Sequence, residues 1–168
     1  MKRIIIFMLL ACMLAPGMIL IQQHKGLQDG LYLVDKVLYD TNKVRLKTNQ
    51  ALVHFNRDIV ENAPDRSTGI IINTANFVPL QLQEEPLLLQ QTQKLQLTFS
   101  PPAGEKLEHF TAANIMKQAA LVVNGEALTM HKIREAIHGG KMEITGSNDN
   151  TCRQIYMLLK NHNVKKGR

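Results

Sequence analysis

The chain has 168 residues, of which 45% are hydrophobic, so it is long enough for one folded domain with a short additional segment and too apolar to be disordered throughout. Its formal net charge is +6, but five basic residues lie at the two ends of the chain, which leaves about +1 for the body. Only 5% of the residues are aromatic and none is Trp, so we expect neither a basic, base-stacking surface nor a nucleic-acid partner.

The first 22 residues are typical of a segment that targets a chain to a membrane. Lys2 and Arg3 precede an uncharged run over residues 4–21, which is just long enough to cross a bilayer core as an uncleaved anchor. Two other interpretations are a lipoprotein signal, because residues 9–12 have the form of a lipobox ending at Cys12, and an ordinary cleaved signal. All three export the body, so we expect a bacterial envelope protein, anchored to the membrane, with its domain facing the periplasm.

The remaining chain divides into a linker, one domain and a tail. Residues 23–30 are mostly polar and predict a short linker before a domain over residues 31–162. Residues 163–168 form a basic tail. Because Cys12 falls in the predicted anchor, Cys152 has no partner for a disulfide within the domain.

The first half of the domain is predicted to contain strands and two helices. Apolar runs bounded by turn residues predict strands at 31–34, 37–39, 44–46, 69–72 and 77–82. Leu52, Phe55 and Ile59 recur at helical spacing and predict a helix over residues 51–60. Pro86 is compatible with the first turn of a second, short helix.

The next part of the domain is predicted to form a strand, a helix and a hairpin. Alternation of apolar and polar residues over 94–99 is typical of a half-buried strand, and apolar periodicity predicts a helix over 105–118. Asn124 and Gly125 separate two apolar runs and are the strongest hairpin signal in the chain, because a primed turn requires positive φ at both central positions. The predicted hairpin strands are residues 119–123 and 127–130.

The last part of the domain adds a short helix, a strand and a final helix. Ile133, Ala136 and Ile137 predict a short helix that Gly139 and Gly140 end with a tight turn. A strand over 142–145 ends at Gly146, and the final helix follows capping residues 148–150. This mixture predicts an α+β fold: a single small domain with antiparallel hairpins and two to four helices, behind the N-terminal hydrophobic segment.

The stretch from residue 111 to residue 146 resembles the head portion of the first periplasmic domain of SecD, a protein-export accessory subunit. Thr111 and Asn114 match that family's Thr-x-x-Asn, and the apolar strand followed by Asn124-Gly125 matches its strand and Asp-Gly hairpin. The family's closing Gly-Gly-x-x-x-Ile-x-Gly corresponds here to Gly139, Gly140, Ile144 and Gly146. The resemblance implies a SecD-head-like α+β fold.

The resemblance also implies a function outside the membrane, as a module that contacts other envelope proteins or extended peptides. Two residues depart from the family's pattern, since His131 stands where the family usually has Pro and Met116 where it often has Gly. The chain lacks the many membrane helices of a complete SecD, so we expect an accessory module and not a proton-driven export motor. We find no nucleophile elbow and no phosphate loop in the sequence, and we expect no enzymatic activity.

An alternative function would use His131, Glu135 and His138, which fall at i, i+4 and i+7. On one helix these side chains would share a face and would be able to coordinate zinc, as in an envelope metal-binding or hydrolytic protein. The same spacing is typical of a solvated polar face opposite Ile133 and Ile137, so we assign no metal ligand, catalytic residue or cofactor. A third alternative is a structural subunit of a membrane complex.

Two strand edges are candidates for binding an extended peptide. One is the strand over 77–82, because Pro79 suits an edge strand, and the other is the hairpin over 119–130. A free edge binds an extended peptide by strand addition. The main hypothesis is therefore a non-enzymatic envelope protein, linked to protein export, that binds other proteins through such an edge.

Overall fold

The computed structural model describes residues 26–41, 44–59, 68–89, 94–146 and 150–166. The predicted anchor with its lipidation candidate Cys12, residues 23–25 of the linker and two of the three capping residues before the last helix lie outside the described residues. Within them, no helix combines the length and the apolar character needed to cross a membrane.

The described residues form eight strands and two helices. The strands are β1 (Gly30–Leu38), β2 (Gln50–Phe55), β3 (Gly69–Pro79), β4 (Leu87–Leu89), β5 (Lys94–Thr98), β6 (Gln118–Val123), β7 (Glu126–Lys132) and β8 (Lys141–Thr145). The helices are α1 (Pro101–Ala113), between β5 and β6, and α2 (Thr151–Lys166), after β8. The predicted α+β fold is confirmed.

The strands form two sheets. Five of them close into a barrel in the order β1-β3-β2-β7-β6, and the other three form a sheet in the order β4-β5-β8. All pairs are antiparallel except β2 and β7, which are parallel and pair only at two positions. Barrel closure therefore depends on a short contact between strands that are far apart in the sequence.

Alternation along the barrel strands creates two apolar clusters, because successive side chains point to opposite faces of a sheet. The barrel interior contains Tyr32, Ala51, Val53, Ile70, Ile72, Ala120, Val122 and Ala127. The intervening residues of β1 and β6 point outward and join a larger core with both helices and the second sheet. That core includes Leu31, Leu33, Leu97, Leu107, Phe110, Ala119, Leu121, Ile144, Ile155 and Leu159.

Several predicted elements are confirmed. The strand predicted over 94–99 is β5, the final helix is α2, and the strand predicted over 142–145 is β8, which ends one residue before Gly146. The hairpin is β6 and β7, and its turn has the expected left-handed backbone, with φ of 53° at Asn124 and 80° at Gly125. Gly139 and Gly140 also form a turn, and both have φ of 68°.

The helix predicted over residues 51–60 is wrong. Residues 51–55 belong to β2, in which Ala51 and Val53 are buried in the barrel while Leu52 lies on the other face, and residues 57–59 form a turn. The apolar residues fit both a helical and an alternating pattern over so short a stretch. Residues 51–55 adopt the strand conformation because they pair with β3 on one side and β7 on the other. These tertiary contacts override a weak local preference for helix.

Other corrections follow from pairing. The two strands predicted at 69–72 and 77–82 are largely one strand, β3, and the predicted strand at 37–39 belongs to β1. Residues 44–46 form no strand, and the short helix predicted around Pro86 is replaced by β4. Helix α1 begins at Pro101, four residues before the predicted start, because proline is tolerated in a first helical turn.

Candidate functional site

A groove lies between β7 and β8, with a cavity volume of about 460 Å³. Its floor is apolar and consists of buried side chains from the outer face of the barrel and from the second sheet. These floor residues are Leu31, Ala119, Leu121, Met142 and Ile144. The irregular segment between β7 and β8, residues 133–138, forms a wall of the groove.

Strand β7 leaves part of one edge unpaired along the groove. It pairs with β6 over most of its length but with β2 only at Glu126 and Ala127. The N–H of Ile133 donates to the Lys117 carbonyl at 2.8 Å. In an antiparallel pair every second residue directs its backbone groups toward the partner strand, so this bond identifies which residues of β7 face β6. By this alternation the backbone groups of Met130 and Lys132 point away from β6, toward an edge where no other described strand pairs.

Strand β8 contributes a second edge. It is the last strand of its sheet and pairs only with β5 among the described strands. The N–H of Phe99 donates to the Gly140 carbonyl at 2.8 Å, and the register then directs the backbone groups of Met142 and Ile144 toward β5. The backbone groups of Lys141 and Glu143 consequently point away from β5.

The rim of the groove is polar and mostly basic. Lys132, Arg134 and Lys141 lie at the rim with Glu135 and Glu143. The carboxylate of Glu143 pairs with Lys94 at 2.8 Å, so part of the acidic charge is already neutralised. His131 also lines the groove, and desolvation by the surrounding protein lowers the pKa of its imidazole, which favours the neutral ring.

Two polar contacts hold the 133–138 segment against α1. The buried Thr111 hydroxyl accepts the Ile137 N–H at 2.9 Å and donates to the Leu107 carbonyl at 2.7 Å. His138 Nδ1 lies 3.0 Å from Glu108 Oε1. The segment is therefore fixed to the helix although it has no regular secondary structure of its own.

The predicted helix face carrying His131, Glu135 and His138 is wrong. His131 lies in β7, whereas Glu135 and His138 lie in the irregular segment that follows. No group of three or more His, Cys, Asp or Glu side chains in the described part of the chain is arranged to hold a metal ion. The geometric basis of the metal-binding alternative is thereby removed.

The turns predicted from glycine and asparagine have structural neighbours that the sequence did not indicate. The Asn124 N–H donates to Asp29 Oδ1 at 2.8 Å, which fixes the hairpin tip to the start of β1. A Cβ added to Gly140 would lie 3.3 Å from the Gly104 Cα, so the second turn packs closely on α1. The sequence also did not predict that β8 would lie at the edge of its sheet, because periodicity predicts a strand but not which strands pair with it.

Part of the chain matches a known family of protein domains. The model of the family described as "SecDF, P1 head subdomain" matches residues 69–163, which is more than half of the chain. The chain belongs to the SecDF P1 head family. The resemblance drawn from residues 111–146 is thus confirmed, and the family match extends it upstream to β3 and downstream into α2.

Similar curated proteins are subunits of the protein translocase. The chain is 37% identical over 68 residues to the protein translocase subunit SecDF of Thermus thermophilus and 38% identical over 53 residues to SecD of Acidaminococcus fermentans. It is 37% identical over 65 residues to SecD of Syntrophobacter fumaroxidans. These matches cover 40%, 32% and 38% of the chain, and 9%, 13% and 12% of the relatives.

Two solved structures are similar to the chain. One is described as "Structure and function of a membrane component SecDF that enhances protein export", with a TM-score of 0.42 and 22% identity, covering 79% of this chain and 63% of that chain. The other, "Crystal structure of SecDF in Super-membrane-facing form", has a TM-score of 0.43 and 24% identity, covering 79% and 19%.

Proposed function

We propose that the chain is a non-enzymatic accessory module of protein export that binds extended segments of other proteins in the groove between β7 and β8. The observation that carries this proposal is a groove with an apolar floor between two free strand edges, in a domain of the SecDF P1 head family. The proposed partners are envelope proteins or exported chains that are not yet folded.

Strand addition is the proposed mode of binding. An extended peptide beside β7 or β8 would form backbone hydrogen bonds with groups that face no other described strand, such as those of Lys132 and Glu143. Every second side chain of the peptide would point toward the floor formed by Leu121 and Ile144. Backbone pairing tolerates many sequences, which suits a module that meets many different exported chains.

The other candidate edge, over residues 77–82, offers fewer free groups. The Leu80 N–H donates to the Asp29 carbonyl, and the Gln81 carbonyl accepts the Ser100 N–H, both within 2.9 Å. Residue Leu82 also bridges to Phe99. We therefore favour the β7 edge at Met130 and Lys132, in the groove that Thr129 also lines, over the edge at Leu80.

Photocrosslinking from the two edges tests this proposal. A photoreactive residue is placed at one of three positions. His131 is exposed and lines the same groove as Thr129, Leu80 lies on the other candidate edge, and Met157 is an exposed control on α2. We expect exported chains to be captured from His131 and not from Met157. Capture from His131 no greater than from Met157 would rule the groove out, and capture from Leu80 alone would select the other edge.

We also propose that residues 1–22 attach the domain to the membrane with the domain facing the periplasm. The support is the apolar run over residues 4–21 and the family's place among translocase subunits. Mass measurement of the mature N-terminus distinguishes an uncleaved anchor from lipidation at Cys12 and from simple cleavage. A stoichiometric partner co-purifying from membranes would instead support the alternative of a structural subunit.

A further inference from the structure

Two adjacent large apolar side chains are exposed in the turn between α1 and β6. Ile115 is 48% exposed and Met116 is 63% exposed, and we call this pair the apolar tip. The other exposed large apolar residues in the described chain stand singly in the sequence, as Tyr39, Leu46, Leu87 and Met157 do. Single exposed apolar residues are normal on a protein surface, whereas two adjacent ones form a larger apolar area that makes this turn a candidate for an interaction site.

The structure holds the apolar tip in place. Met116 has a φ of 68°, a conformation that disfavours a non-glycine residue, and its N–H donates to the Ile133 carbonyl at 2.8 Å. The Asn114 side chain donates to the Phe110 carbonyl at 2.8 Å and accepts from Lys117 Nζ at 3.0 Å. A strained turn fixed by this many hydrogen bonds presents the two side chains in a defined position.

Basic residues surround the apolar tip. Lys117 follows it directly, and the register of β6 with β7 places Lys132, the last residue of β7, beside Gln118. Arg134 lies in the irregular segment that follows, next to Ile133, whose carbonyl accepts the Met116 N–H. All three basic residues are exposed. Residues 114–118 and 130–134, which lie nearest the apolar tip, contain no acidic residue, and Glu135 follows Arg134 directly.

We propose that the apolar tip and its three basic neighbours dock on an anionic lipid surface. Aliphatic side chains that enter the acyl region, with long cationic side chains that reach the headgroups, are the chemistry of interfacial membrane binding. Ile115 and Met116 are exposed in a turn and line neither of the two cavities described, so the proposed contact is made by projecting side chains. A fluid bilayer accepts a protrusion without the complementary shape that an acidic protein partner would need.

A fluorescent probe of membrane depth tests the proposal in the full chain. The chain is reconstituted with Cys12→Ser and with an environment-sensitive fluorophore on Met116→Cys, since the remaining Cys152 is buried. The matched control carries the fluorophore on Leu87→Cys, which is 55% exposed in the native chain. Vesicles contain phosphatidylcholine with or without phosphatidylglycerol and a quencher attached to the lipid acyl chains.

The expected result is a blue-shifted, quenched probe at position 116 in vesicles with phosphatidylglycerol, and no such change at position 87. Replacing Lys117, Lys132 and Arg134 together with Gln is expected to weaken docking by roughly 100-fold. As a second variant, Met116→Gly keeps the left-handed turn without strain and is expected to reduce quenching of a probe on Ile115→Cys.

Three results would overturn the proposal. One is equal quenching at positions 116 and 87, and another is a response that does not depend on phosphatidylglycerol. The third is a response in native membranes but not in protein-free vesicles, which would identify a membrane protein as the partner. Because the groove is tested by crosslinking from His131, failure of lipid docking leaves the proposed peptide binding unaffected.

Discussion

At the scale of single residues, Gly139 and Gly140 share a φ of 68° but differ in their surroundings. A Cβ added to Gly139 would meet nothing within 4 Å, whereas one added to Gly140 would lie 3.3 Å from the Gly104 Cα and 3.5 Å from the Phe99 carbonyl oxygen. The same backbone conformation therefore serves a tight turn at one position and a close packing contact at the next.

We expect Gly139→Ala to lower the free energy of unfolding by about 1 kcal/mol, which is the cost of a left-handed alanine. Gly140→Ala adds a steric contact with α1 to the same strain and is expected to cost about 2–4 kcal/mol. Equilibrium urea unfolding of both variants measures the difference. An equal loss for the two variants would show that α1 moves freely away from the turn.

Met116 has a backbone conformation that favours glycine. Its φ of 68° is one that glycine adopts freely and methionine does not. The sequence analysis identified Met116 as a departure from the family's pattern, and the structure shows that this methionine adopts the left-handed conformation.

At the scale of elements, the wall of the groove depends on a contact between α1 and an irregular segment. Thr111 is 1% exposed, and its hydroxyl is the partner of the Ile137 N–H. Sequence periodicity offers no signal for such a contact, because the two residues are 26 positions apart and neither belongs to a paired strand.

Thr111→Val is expected to destabilise the domain by about 1–3 kcal/mol, because it leaves the Ile137 N–H without its acceptor at the same side-chain volume. Thr111→Ser keeps the hydroxyl and is the control. Hydrogen exchange at the Ile137 amide, measured beside global unfolding, separates loosening of the segment from general instability. Faster exchange in Thr111→Ser than in Thr111→Val would contradict the assignment.

The free edge of β8 gives a second test at this scale. Glu143→Pro removes an N–H that points away from β5, together with the carboxylate that pairs with Lys94, and proline is tolerated on the open side of an edge strand. We expect it to reduce peptide capture from His131, while Glu143→Gln, which loses only the charge and its ion pair with Lys94, retains it. Unchanged capture in Glu143→Pro would exclude strand addition at β8 and leave β7 as the edge.

At the scale of the whole molecule, stability in alkali depends on the barrel interior. Tyr32 is 1% exposed, its ring stacks on Phe77, and its hydroxyl donates to the Gln28 carbonyl. Burial, with a smaller contribution from the Asp29 carboxylate, raises the pKa of Tyr32 to about 12. The unfolded chain, in which the tyrosine pKa is about 10, therefore loses this proton at a lower pH than the folded chain.

The domain should accordingly lose stability as pH rises from about 10 to about 12, with a slope approaching 1.4 kcal/mol per pH unit, because the folded state binds the extra proton. Urea unfolding across this range measures the slope. Tyr32→Phe is expected to be less stable near neutral pH, through loss of the hydrogen bond to Gln28, but to flatten the alkaline slope. An unchanged slope in that variant would assign the effect to another group.

Much of the fold was predictable from local sequence. The hairpin at Asn124-Gly125, the alternating strand β5 and the final helix α2 follow from turn geometry and periodicity, which act over a few residues. The motif from residue 111 to residue 146 also identified the family, since its residues serve one compact unit of the fold.

The tertiary structure decided the rest. Residues 50–55 became a strand because β3 and β7 pair with them, and β2 closes the barrel through two positions some 70 residues away along the chain. The groove lies where β7 and β8 each keep an edge that no other described strand pairs, over buried side chains. Periodicity determines which face of an element is apolar, whereas the neighbour of each edge is set by long-range pairing, and only that pairing shows where the surface remains open for a partner.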